Sequence, residues 1–190
     1  AKSESLIVAT GALSIPTLGG SDFGYKLAKQ FSLPLVKPSA GLVPFMFSDF
    51  LKPIAESLSG LSVDVEVSCQ KKSFKGGLLF THRGLSGPAI LQISNYWIPG
   101  QEIVVNLLPD LDVSKELQKE KNGNNKLLLR SFLSNHLSKS LVLELQKIWW
   151  PSISESSIQD ISRKDLIKIG SLLNHWVLKP SSTEGYRTAE

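Results

Sequence analysis

F-T-H-R-G-L-S-G-P-A-I-L-Q-I-S, residues 80–94, is the point where an apolar strand gives way to a helix. Gly76, Gly77, Leu78 and Leu79 lead into it as strand, and Thr81, His82, Arg83 and Gly84 break the run. Ser86, Gly87 and Pro88 then read as a helix start, with Ser86 as the cap and Pro88 in the first turn, where a missing N–H carries no penalty. Ala89, Ile90, Leu91 and Ile93 continue as a buried helical face. A polar turn between strand and helix sets Thr81, His82 and Arg83 beside free backbone N–H groups, a geometry suited to an anion or a cofactor edge. The same features also describe an ordinary capped packing helix.

Around this stretch the pattern is β. Residues 33–36 and 42–47 are apolar and punctuated by Pro34, Pro38 and Pro44, which favours short or edge strands. Residues 49–58 suit a short helix. Val63, Val65, Val67 and Cys69 alternate with Asp64, Glu66 and Ser68, as in a strand with one wet face. Cys69 lies on the apolar side and reads as a small core residue. Residues 75–80 pair with this strand through a turn at 71–73, and residues 102–108 form a further strand after Pro99-Gly100. From 111 to 176 the period becomes helical: Asp112 caps one helix, residues 122–125 form a loop, residues 127–137 and 141–150 are amphipathic, and Ser162 caps residues 163–176. Trp149, Trp150 and Trp176 read as core or seam aromatics. His136 and His175 read as partly buried structural histidines.

The ends differ. Residues 6–9, Leu-Ile-Val-Ala, suggest a strand buried on both faces, followed by Thr10, Gly11 and Ala12, small enough for a ligand to approach. Ser21 and Asp22 can cap a helix over 23–31. No G-x-G-x-x-G is present, so a dinucleotide fingerprint is weak. The first forty residues supply too few partners for a doubly buried strand, and the expectation is that both ends belong to a further domain. Together these patterns predict an α+β fold: a small β barrel or sandwich with an inserted helical subdomain, plus a partial α/β, Rossmann-like edge at the termini.

Composition excludes more than it supports. The chain has 190 residues, 42% apolar, with a single cysteine and a net charge of +4. No apolar run approaches a membrane span of about 20 residues, and an internal disulfide needs two cysteines. A reducing, cytoplasmic setting follows as the expectation. Three scattered histidines and one cysteine make a metal site improbable, so none is expected. The lysines at 115–126 alternate with Glu116 and Glu120 as a solvated face, so nucleic acid and membrane are not the expected partners.

Residues 6–16, 80–88 and 183–190 together are similar to the bacterial flavoprotein family called BaiN-like or YhiN-like, NAD(P)/FAD-dependent oxidoreductases also labelled aminoacetone oxidase-like. Residues 42–44, 89–94 and 107–110 fit as well, in order and spacing. The resemblance implies an FAD domain split by a large insert: residues 1–38 a remnant of the FAD domain, 39–110 and 177–190 a β-barrel insert with its return strand, and 111–176 a helical subdomain. It implies FAD contacts at Ala9, Thr10, Gly11, Ala12, Thr81, His82, Ser86, Gly87 and Arg187, with His82 a candidate catalytic group of unassigned role. Ala12 departs from the family's usual second glycine. The function so implied is the substrate side of an oxidoreductase moving hydride between NAD(P)H or a small substrate and FAD. The remaining halves of the FAD domain would be partners, and this piece alone would hold FAD weakly or not at all. The alternatives are an autonomous β-barrel module that binds RNA or a protein through Lys71, Lys72 and Arg83, and a structural insert for dimer contact.

Overall fold

The computed structural model describes residues 2–123 and 126–190. The predicted loop over 122–125 therefore lies partly outside the described residues, at Asn124 and Asn125. The described elements are α1 (Phe23–Gln30), β1 (Phe45–Met46), α2 (Leu51–Ser57), β2 (Ser62–Cys69), β3 (Lys72–Thr81), β4 (Gly84–Ser86), α3 (Pro88–Ser94), β5 (Ile103–Asn106), α4 (Val113–Asn122), α5 (Leu129–Ser134), α6 (Lys139–Trp149), α7 (Arg163–Asn174), β6 (Trp176–Leu178) and β7 (Ser182–Thr183). The α+β class holds.

The seven strands make one antiparallel sheet in the order β6-β5-β2-β3-β4-β1-β7. Its centre is the hairpin that the alternating valines predict. Val65, Val67 and Cys69 are buried, and Asp64, Glu66 and Ser68 face outward. The turn is tighter than the sequence suggests: Cys69 pairs with Lys72, and Gln70 takes a left-handed conformation at φ 55°. The sheet is not closed into a barrel by hydrogen bonds. Its two edges, β6 and β7, are nevertheless consecutive in the chain, and residues 179–181 join them. Four Cα steps span at most about 14 Å, so the sheet must curl until its edges nearly meet.

α3 lies across β3 because two glycines clear the way. Pro88 rests over Gly76 and Gly77, its carbons 3.7 Å from where their Cβ atoms would stand. Helices and sheet share one continuous apolar core, which runs from Val67, Leu78 and Phe80 through Ile90 and Ile93 to Leu117, Leu141, Leu166 and Leu173. α4 and α7 pack closely enough that a Cβ on Gly170 would stand 2.6 Å from the Cα of Ser114. Asn174, at the end of α7, ties the seam. Its amide nitrogen lies 2.9 Å from Asn106 Oδ1, 3.1 Å from the carbonyl of Leu108 and 2.9 Å from that of Leu111, and its oxygen accepts the N–H of Val113. Asp112, Ser138 and Ser162 cap α4, α6 and α7. No helix of the described residues is long and apolar enough to cross a membrane.

Several expectations give way. Among described residues 2–44 there is no strand, so no Rossmann-like edge forms there. Leu6 and Ile7 have no strand to pair with and stand 80% and 89% exposed. Residues 33–36 likewise form no strand and are exposed. Ser86 does not cap α3. It ends β4, and Gly87 is the cap, because the chain there turns through φ 94° against β3, with the Gly77 carbonyl 2.6 Å from a would-be Cβ. Trp176 leaves the helix and pairs with Val105 in β6. His136 and His175 are exposed, not partly buried.

Candidate functional site

The turn between β3 and β4 is held by one side chain. The Thr81 hydroxyl accepts the N–H groups of Arg83 (3.3 Å) and Gly84 (3.2 Å). The backbone donors expected to await an anion are thus already engaged. The Arg83 carbonyl is engaged as well, by the N–H of Phe47. What the turn offers instead is side chains: His82 is exposed and Arg83 is half-buried.

Residues 183–188 come back to this turn because β7 pairs with β1, and β1 with β4. Glu184 is largely buried and receives two guanidinium groups. Arg83 approaches within 4.0 Å, and Arg187 forms a charge-assisted hydrogen bond from the following 3-10 turn, Gly185–Arg187. Two cations around one carboxylate leave the site a net positive charge. Arg187 and Arg83 are about half exposed, so their outward N–H groups stay free to contact an anion such as a phosphate. On the same turn the hydroxyls of Tyr186 and Thr188 are shielded from solvent and find no hydrogen-bond partner among the described residues. The N-terminal segment is anchored here too, through the Ile15 N–H and the Tyr186 carbonyl at 2.9 Å.

The candidate residues therefore fall into three places. Thr81, His82 and Arg187 meet at the β3–β4 turn and the 3-10 turn. Ser86 and Gly87 sit at the far end of β4, about 10 Å along the strand, where Gly87 packs on the backbone of β3. Ala9, Thr10, Gly11 and Ala12 form an exposed loop, with Gly11 at φ 74° and Thr10 beside Gly24. Sequence reasoning missed Glu184 as the organiser. Its acidic side chain between Thr183 and Gly185 carries no pattern, and of its two partners Arg83 lies a hundred positions away. Among the described residues no three His, Cys, Asp or Glu side chains are grouped to hold a metal ion.

Comparison with known proteins places this geometry. Residues 39–190 match the family described as HI0933-like protein barrel and H2TH domain. The chain is 44% identical over 188 residues to the ribosomal RNA dihydrouridine synthase of Escherichia coli (strain K12), and 42% identical over 190 residues to that of Haemophilus influenzae (strain ATCC 51907 / DSM 11121 / KW20 / Rd). Each match covers 98% of this chain and 46% of the relative, so the chain spans about half the length of the curated relatives it matches. These findings overturn the likeness to BaiN-like oxidoreductases and the hydride-transfer reading drawn from it. They also overturn the expectation that nucleic acid is no partner, since both relatives are named for ribosomal RNA. The interleaved charges at 112–120 misled because those lysines are paired within α4, to Asp112 and Glu116, and say nothing of the cations elsewhere. The chain belongs to the HI0933-like family, with residues 39–190 forming its barrel and H2TH domain.

Proposed function

We propose that this chain is the RNA-recognising part of an enzyme that modifies ribosomal RNA. The observation that carries the reading is the 44% and 42% identity, over nearly the whole chain, to two proteins named ribosomal RNA dihydrouridine synthase. The structure supports it with the cationic turn, where Arg83 and Arg187 share Glu184, and with a net charge of +4. Guanidinium groups suit phosphate oxygens, which they bind as a fork. In this reading Arg83 and Arg187 hold the RNA backbone, Glu184 fixes their positions, and exposed His82 borders the strand. We propose further that residues 39–110 with 177–190, and residues 111–176, act as two subdomains of this recognition surface, in a cytoplasmic protein.

FAD is proposed only for the whole protein. The loop at Ala9–Ala12 is exposed, with open space beside Gly11 for a ligand to approach its backbone. Ala9, Thr10, Gly11 and Ala12 are the residues of this chain that would lie against the flavin, and no step is assigned to it.

The test is binding of protein-free ribosomal RNA by the whole protein across a salt series. Log affinity is expected to fall linearly with log salt, and Arg83→Gln or Arg187→Gln to reduce the slope by about one each. A flat salt response, or equal slopes in the variants, would refute the assignment.

A further inference from the structure

A cleft of about 190 Å³ opens between the end of α6 and the first turns of α7, remote in sequence from the arginine turn. Trp149, Trp150, Pro151, Ser152, Asp165 and Lys168 contribute to its wall. Trp150 is 2% exposed. Its indole N–H is shielded from water and meets no acceptor among the described residues. Buried donors are almost always paired, so an unpaired one calls for a reason. Trp149 is half-buried and braced edge-on by Trp176 at 5.3 Å, which holds its ring still. Asp165 is held by the Ser162 hydroxyl at 2.7 Å and keeps acceptor capacity. Lys164 and Lys168, one turn apart on the exposed face of α7, form no ion pair among the described residues.

A rigid indole face, a donor without an acceptor, a carboxylate and unpaired cations match the parts of a nucleotide. We infer that this cleft takes one unpaired nucleotide of an RNA, an inference that rests on the RNA reading above. The base lies against Trp149, a base carbonyl accepts the Trp150 N–H, a base N–H donates to Asp165, and the phosphate sits toward Lys164 and Lys168. A carbonyl directly beside a ring N–H belongs to uracil and guanine; cytosine sets a bare ring nitrogen between its carbonyl and its amino group, and adenine has no carbonyl.

The experiment measures binding of short fluorescein-labelled oligouridylate, oligocytidylate and oligoadenylate, and of protein-free ribosomal RNA, to the whole protein and its variants. Trp150→Phe keeps an aromatic ring but removes the pyrrole half with its N–H. Measured where both proteins are folded, it is expected to weaken oligouridylate binding by roughly threefold to tenfold, the size of one net hydrogen bond, while the space left in the core lowers the thermal midpoint. Lys168→Gln is expected to lower the salt slope by about one, and oligouridylate to bind more tightly than oligocytidylate or oligoadenylate. If the parent binds ribosomal RNA while both variants match it, the cleft assignment is refuted and the RNA reading stands. Equal binding of the three homopolymers refutes the proposed base edge. If the parent binds no RNA at all, both readings fall together.

Discussion

Gly87 has no room for a side chain. A methyl there meets the Gly77 carbonyl and the Leu79 N–H, and φ 94° is unfavourable for any L-residue. Gly87→Ala is expected to destabilise the fold by about 2 kcal/mol or more, read by urea denaturation. Asn174→Ala should match or exceed that. It strips partners from the carbonyls of Leu108 and Leu111 and the N–H of Val113 at once, at about 1–3 kcal/mol for each group left buried and unpaired. Burial pushes the Cys69 thiol above its ordinary value. An acid whose folded pKa is raised stabilises fully below the unfolded value, and loses that contribution as pH rises through the folded one. The measurable consequence is that iodoacetamide at mildly alkaline pH alkylates native Cys69 far more slowly than the urea-unfolded thiol; equal rates would show the thiol to be accessible. At this scale the sequence read Cys69 correctly from its strand phase. It could not reveal Glu184, or the stranded N–H of Trp150, since both depend on what distant residues fail or manage to reach.

The elements with a full period were legible, and the short ones were not. β2 alternates over eight residues, and α7 carries Leu166, Ile169 and Leu173 on one stripe behind a serine cap. β4 has three residues, too few to show a period, and Trp176 continues the spacing of α7 even though β5 recruits it into the sheet. The leading apolar segment failed for the opposite reason: its composition suits a strand, but a strand exists only by pairing, and the described residues offer it no partner. Capping can be tested at this scale. Ser162→Ala removes the acceptor for the Asp165 N–H at 3.1 Å and is expected to cost about 1 kcal/mol. Because α7 also carries Lys164 and Lys168, the same variant tests whether fraying this helix weakens RNA binding, with circular dichroism and titration run on one sample.

For the molecule as a whole, one apolar core ties sheet to helices, and the chain order of its strands differs sharply from their spatial order. β5 and β6 are neighbours across the whole of α4 to α7, and β1 is covered on its outer side only by β7, more than 130 positions later. Pairings of such long separation form slowly. During synthesis, the outer edge of β1 leaves the exit tunnel bare and stays so until Ser182 and Thr183 have emerged. For that interval its unpaired amides and carbonyls are open to any extended segment nearby, and the growing chain is more exposed to mispairing than the finished one.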